Sequence, residues 1–199
     1  MQPQSWRELF RVIAEDYRNH GCDWSKPGFQ SLAVHRFGNY RMSIRNPWLR
    51  KPLSFIHHRL FRFCRNFYGI ELPHPTVIGR GVVIEHQHGI VLHGAAVIGE
   101  GTYIRQGVTI GNRYLDKPFD APKIGRRVNI GAGACILGGV TIGDDASIGA
   151  NAVVLCDVPV GCLAAGIPAK VVSVAEKQST SPADENDLSL AYTRTLESQ

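Results

Sequence analysis

A chain of 199 residues with 44% hydrophobic content and a net charge of +5 has room for one domain, or two small ones, around a substantial core. It holds no apolar run long enough to span a bilayer, and the opening MQPQSWRELFRV lacks the basic start and apolar stretch of a signal peptide. Five cysteines, odd in number and without CxxC spacing, suit a reduced, cytoplasmic protein. The charge is uneven: residues 1–70 carry 12 Lys and Arg against 4 Asp and Glu, whereas residues 71–199 carry 10 against 13. A basic half suits an anionic cofactor or a membrane surface. With no nucleic-acid motif in it, no nucleic-acid partner is expected.

From Ser5 to about His20 the residues Trp6, Leu9, Phe10, Val12, Ile13 and Tyr17 recur at helical spacing, with Ser5 as N-cap and Gly21 as the stop. A loop through Lys26, Pro27 and Gly28 leads to a second helix carrying Phe29, Leu32, Ala33, Phe37 and Tyr40. The third segment, from Pro47 to Tyr68, mixes Trp48, Leu53, Phe55, Ile56, Leu60, Phe61, Phe63 and Phe67 with five Lys and Arg. Its expected arrangement is a helix packed on its neighbours and on the first turn of the next domain, its arginines solvated. Lying on a membrane surface is the less favoured reading, because Pro52 interrupts the segment. These helices form an N-terminal domain over residues 1–70.

Beyond residue 71 a period of six takes over. Ile78, Ile84 and Ile90 form one series; Ile98, Ile104 and Ile110 form another, displaced by two residues near Gly94-Ala95. From Ile124 the series runs unbroken through Ile130, Ile136, Ile142, Ile148, Val154 and Val160, with Gly or Leu next to each and Val or Ala four places on. Six is an even number, so each aliphatic returns to the same face of a strand, and glycine beside it permits a sharp turn. Three hexads, about eighteen residues, close one coil, and stacked coils bury the aliphatic columns. The pattern is a parallel β-helix over residues 71–172. The thirteen residues GNRYLDKPFDAPK, loop 111–123, interrupt it as an ejected loop suited to a substrate arm. Residues 173–199 are polar and are expected to be disordered.

The stretch KIGRRVNIGAGACILGGVTIGDDASIGANAVVLCDVPVGCLAAGIPAKVV resembles the left-handed β-helix of hexapeptide-repeat acyltransferases, and PGFQSLAVHRFGNYRM resembles the helix-loop segment of serine O-acetyltransferases. The handedness comes from that resemblance alone. The fold it implies is mainly β, a left-handed parallel β-helix of hexapeptide repeats preceded by a small α-helical domain. The activity implied is direct acetyl transfer from acetyl-CoA to a hydroxyl, without a metal, in a homotrimer whose cofactor cleft lies between subunits.

The residues that match the family's site follow. Glu85-His86-Gln87-His88-Gly89-Ile90-Val91 aligns His86 with the catalytic base. An alcohol is almost wholly protonated near neutrality, so its attack on a thioester needs proton removal, and imidazole suits that task. Glu71 stands where the family places the carboxylate that orients the base, although Asp is more usual there. Glu85 is a candidate for acceptor binding. Gly111, Ala132 and Ala150 match positions whose backbone meets the pantetheine arm, and Lys170 matches a cation placed for the nucleotide phosphates. His88 and His93 have an H-x4-H spacing, but a zinc site of this architecture needs a third histidine two coils upstream, where Pro52 stands, so no metal is expected.

One departure bears on the acceptor. Members of the family carry an Arg-His pair before Pro-Lys-Ile to engage the serine carboxylate and hydroxyl; here Asp120-Ala121 precede Pro122-Lys123-Ile124. Aspartate would repel a carboxylate there, so either Arg113 substitutes or the acceptor is a sugar hydroxyl of a polysaccharide precursor. A third reading, of another class, is a non-catalytic hexapeptide scaffold.

Overall fold

The computed structural model describes residues 5–172; the tail expected to be disordered lies outside the described residues. Three α-helices precede the strands: α1 (Trp6–Asn19), α2 (Pro27–Ser43) and α3 (Pro47–Phe63), the last running into a π turn, Cys64–Tyr68. The Ser5 side chain accepts the Glu8 N–H at 3.2 Å and caps α1, as its sequence position predicts.

Up to Val153–Val154 the strands fall into three sheets in rotation, so the chain winds as a three-sided parallel β-helix; in the last coil the second face is reduced to the single bridge Ile142↔Val158. The first face stacks Ile70–Glu71, Ile90–Leu92, Thr109–Gly111, Cys135–Leu137 and Val153–Val154. The second stacks Val77–Ile78, Val97–Ile98, Lys123–Ile124 and Thr141–Ile142. The third stacks Val83–Ile84, Tyr103–Ile104, Asn129–Ile130, Ser147–Ile148 and Leu163–Gly166, closed by the antiparallel Ala169–Val172. From Ile98 to Val154 the hexad aliphatics pair with their counterparts one coil away, as in Ile98↔Ile124↔Ile142 and Ile104↔Ile130↔Ile148, and are buried; Val160, expected to close the series, is exposed, and Val158 bridges Ile142 in its place. Within Cys135–Leu137, Ile136 fills the core and Cys135 stands half-buried on the outer side of the strand.

Two registers depart from eighteen. Ile98 pairs with Ile124 because the ejected loop adds residues to one turn. Ile78 pairs with Ile98 and Ile84 with Ile104, twenty apart, whereas Leu92 pairs with Ile110 at eighteen. The two extra residues therefore sit between Ile84 and Leu92. This corrects their expected place at Gly94-Ala95: they lie at residues 85–89, the turn that carries the histidines.

The first coil offers backbone groups with no further coil beneath them, an open end that invites mispairing. Helices α1 and α2 occupy it. Arg36 donates to the carbonyls of Ile78 and Gly79, each at 2.7 Å, and its Nε meets Asp16 at 3.0 Å. His35 Nε2 donates to the Thr76 carbonyl at 3.0 Å. Leu32 joins the buried coil cluster as a plug, and Gly28 allows the close approach: a Cβ there would lie 2.0 Å from the Ile84 carbonyl oxygen. Burial raises the Asp16 carboxyl while Arg36 pulls it back, and burial pushes His35 down to about 3.

Helix α3 departs from expectation. Its only buried residue is His57, which burial pushes down to about 4. Pro52 lies within the helix without ending it, and most of the aromatic side chains expected to pack are in solvent.

Candidate active site

The turn from the third face to the first recurs once per coil, and its backbone forms a ladder. The carbonyl of His88 accepts the Gly107 N–H at 2.9 Å, that of Gln106 accepts Gly133 at 2.8 Å, and that of Ala132 accepts Asn151 at 2.8 Å. His88, Gln106, Ala132 and Ala150 thus stand in one column along an edge of the prism, about 14 Å long at the usual strand spacing. The strand Leu163–Gly166 continues the third face past Ser147–Ile148, and Ala165 pairs with Lys170, so Lys170 stands exposed at the far end of the same edge. Sequence positions 84 residues apart, His86 and Lys170, are brought to one line.

The extra residues at its near end push His86 outward. His88 and Gly89 both take left-handed backbone, φ 74° and 72°, to make the turn, and residues 85–89 are exposed. Neither ring nitrogen of His86 is held by another described residue, so both are available to a ligand. Glu85 is not free: its carboxylate meets Arg105 Nε at 3.1 Å, and Arg105 Nη1 donates to Asn129 Oδ1 at 2.6 Å. The N–H groups of Ala132 and Ala150 have no backbone partner among the described residues, which leaves them able to bond an extended amide.

Glu71 sits half-buried on the outer side of the first face, paired with Val91, and makes no bond to His86. His86 and the carboxylate expected to orient it are therefore not hydrogen-bonded to each other within one chain.

The opposite edge of the first face, where the chain turns to the second, holds the remaining candidates. Gly111 lies one coil above His93; a Cβ on it would be 4.0 Å from the His93 Cβ. His93 accepts the Ala95 N–H on Nδ1 at 3.1 Å, so a neutral ring bears its proton on Nε2. The ejected loop folds back over Gly138 and Gly139. A Cβ at Gly139 would lie 2.1 Å from Asp120 Oδ1, and one at Gly138 would lie 3.5 Å from the Arg113 Cβ. Asp120 and Arg113 therefore converge on the diglycine, Arg113 resting 5.0 Å over the Tyr114 ring. Among the described residues no group of three or more His, Cys, Asp or Glu is arranged to hold a metal ion.

Residues 121–156 match the family model described as bacterial transferase hexapeptide (six repeats). The serine acetyltransferase of Synechococcus elongatus is 36% identical over 175 residues, covering 82% of this chain and 69% of that protein. The soybean serine acetyltransferase apoenzyme superposes with a TM-score of 0.71 at 31% identity, over 82% of this chain and 69% of that one. A serine acetyltransferase in complex with CoA superposes with a TM-score of 0.69 at 29% identity, over 85% and 72%. The chain belongs to the serine acetyltransferase family. It is an acyltransferase, which removes the scaffold reading.

In this acyltransferase several residues at the two edges escape a linear reading. Arg105 and Gln106 look like ordinary coil-surface residues until the stacking of the coils sets Arg105 on Glu85, twenty residues back, and Gln106 over His88, eighteen back. Gly138-Gly139 was visible as a doubled glycine in a repeat that needs one, a sign that something lies against that corner.

Proposed function

We propose that this acyltransferase moves the acetyl group of acetyl-CoA directly to a hydroxyl, with His86 as general base. The reading rests on one observation: His86, the free amides of Ala132 and Ala150, and Lys170 share a single edge. A pantetheine arm laid along that edge would meet the amides, with its thioester toward the His86 corner and its phosphates toward Lys170. His86 takes the hydroxyl proton as the oxygen attacks the thioester carbonyl carbon. The C–S bond then breaks, CoA leaves as thiolate, and the imidazolium returns the proton to sulfur.

The coil is left-handed and the active unit is a cytoplasmic homotrimer. Support for the trimer comes from the division of candidates between the two edges of the first face. Gly111, Arg113 and Asp120 of one subunit would complete the site begun by His86 of the next. Glu71, on the face between, orients the base. Glu85 acts through Arg105, fixing the corner that bears His86 rather than touching the acceptor.

The acceptor is L-serine by family likeness. A sugar hydroxyl of a polysaccharide precursor is the second reading, favoured by Asp120 in the place of a cation. CoA release assayed with L-serine beside a panel of sugars and nucleotide sugars tests both. Turnover with serine alone supports the first, turnover with a sugar alone the second, and a catalytically intact His86→Ala variant overturns the mechanism. Sedimentation equilibrium showing a stable, active monomer would overturn the shared site.

A further inference from the structure

Helix α3 turns its apolar side chains outward. Trp48 is 84% exposed, Phe55 68%, Ile56 47% and Phe63 44%. Their spacing, i, i+7, i+8 and i+15, makes them one stripe along the helix. Arg59 and Arg62 fall within it, and with Phe63 and Phe67 they line a groove of about 380 Å³. A second groove, about 400 Å³, runs from Leu49 and Pro52 of α3 to Trp6 of α1 and is almost wholly apolar. An ordinary surface helix exposes its charges and hides its aromatics; α3 exposes both.

The charge on this face has one sign. No acidic residue stands between Asp23 and Glu71, a stretch holding nine Lys and Arg. Among the described residues Arg50, Lys51, Arg59, Arg62 and Arg65 have no carboxylate partner. Lys51 instead lies 5.9 Å over the Trp48 ring, and Arg65 lies 5.9 Å over Phe61. A two-fold contact between copies would set one acid-free cationic face against another, which like-charge repulsion opposes. An anionic lipid surface satisfies both features: phosphates meet the arginines, and the aromatic stripe enters the boundary between headgroups and acyl chains.

We propose that the outward face of α3 docks this acyltransferase on an anionic bilayer surface, as a peripheral and not a spanning element. No described helix is long and apolar enough to cross a membrane. The docked helix would continue straight into the catalytic corner, because the Tyr68 carbonyl at the end of its π turn accepts the His88 N–H at 2.8 Å. The proposal goes beyond the transferase reading and stands whichever acceptor is used.

The test is flotation of the full chain with vesicles of phosphatidylcholine alone or mixed with phosphatidylglycerol, at low and high salt. Binding to the mixed vesicles only, weakening as salt rises, is expected. Trp48→Ser with Phe55→Ser should weaken it about ten-fold or more. Arg59→Gln and Arg62→Gln should each weaken it about five-fold. Circular dichroism and sedimentation without lipid, unchanged in all variants, show that folding and assembly are intact independently of turnover. Failure to float with either vesicle, or equal flotation of parent and variants, overturns the proposal. So does a change in sedimentation of the Trp48→Ser, Phe55→Ser variant without lipid, which would assign the stripe to a contact between copies.

Discussion

Nε2 of His20 accepts the main-chain N–H of Ile84 at 3.2 Å. Nδ1 of the same ring donates to the Asp16 carbonyl at 2.7 Å, so the fold demands the neutral ring with its proton on Nδ1. Burial, the largest influence, lowers the affinity of His20 for a second proton, against the pull of Asp16. In the unfolded chain the ring protonates near its ordinary 6.5. The stability contributed by the neutral ring is thus complete above about pH 6.5 and is lost as pH falls toward the depressed folded value. His35 at about 3 and His57 at about 4 act in the same direction. Unfolding free energy should therefore fall between about pH 6.5 and 5.5, by up to about 1.4 kcal/mol per pH unit for each histidine. Urea titrations at several pH values measure it, and His20→Phe should flatten part of the slope. A curve level across that window contradicts the assignment.

Arg36 joins α1, α2 and the first coil through Asp16, Ile78 and Gly79, and its side chain is 3% exposed against 0% for Asp16. Removing one partner of a buried pair leaves the other charge uncompensated. Arg36→Met should cost about 3–5 kcal/mol, far more than any of the surface pairs. The loss should appear as a lower urea midpoint and as faster amide exchange in α1 and α2. An effect below about 1 kcal/mol would mean the helices are held chiefly by Leu32 and Phe29.

The coils were legible in the sequence because a six-residue period admits one simple packing: Ile124, Ile130 and Ile136 each return to the core after one side of the prism. What escaped depends on register across coils, which a period within a coil does not determine. The two extra residues seemed to fall at Gly94-Ala95 because Ile90 is buried and in phase with Ile84, yet it is Leu92 that pairs with Ile110. The outward face of α3 was equally hidden, since Trp48 and Phe55 read as core residues to any scale that counts apolarity alone. Of the candidate site, His86, Ala132, Ala150 and Lys170 could be named from motif, but their sharing of an edge, and the separation of Glu71 from His86, depend on how the coils stack.

Along the His86 edge, different variants should disturb different parameters. His86→Ala should lower kcat by about 10²–10⁴ with little change in the KM for acetyl-CoA, since it removes the base and leaves the arm's amide contacts. Lys170→Ala should do the reverse, raising the acetyl-CoA KM several-fold, about 1 kcal/mol, with kcat kept. Glu71→Gln, at the carboxylate proposed to orient the base, should cost less in kcat than His86→Ala. Steady-state kinetics against both substrates separates these cases. An equal loss of kcat in all three variants would point to collapse of the edge instead.

On the proposed reading, Asp120 is the residue that separates the two acceptors. Its Oδ1 rests where a Cβ on Gly139 would stand, so the doubled glycine gives this carboxylate its room. A negative charge beside a serine carboxylate is unfavourable by roughly 1–3 kcal/mol in a partly solvated cleft, whereas beside a sugar hydroxyl it is a strong hydrogen-bond acceptor. The same substitution should therefore act in opposite directions. With a sugar acceptor, Asp120→Asn should raise KM and lower kcat/KM about ten-fold, and Gly139→Ala, which pushes the carboxylate aside, should resemble it. With L-serine, Asp120→Asn should raise kcat/KM by a similar factor, and Arg113→Gln should lower it, because Arg113 would then be the cation left to meet the carboxylate. Gly139→Ala again distinguishes the cases: it harms sugar transfer and relieves serine transfer. Measuring kcat/KM for both acceptors in all three variants tests this, and no change with either acceptor would remove Asp120 from the acceptor site.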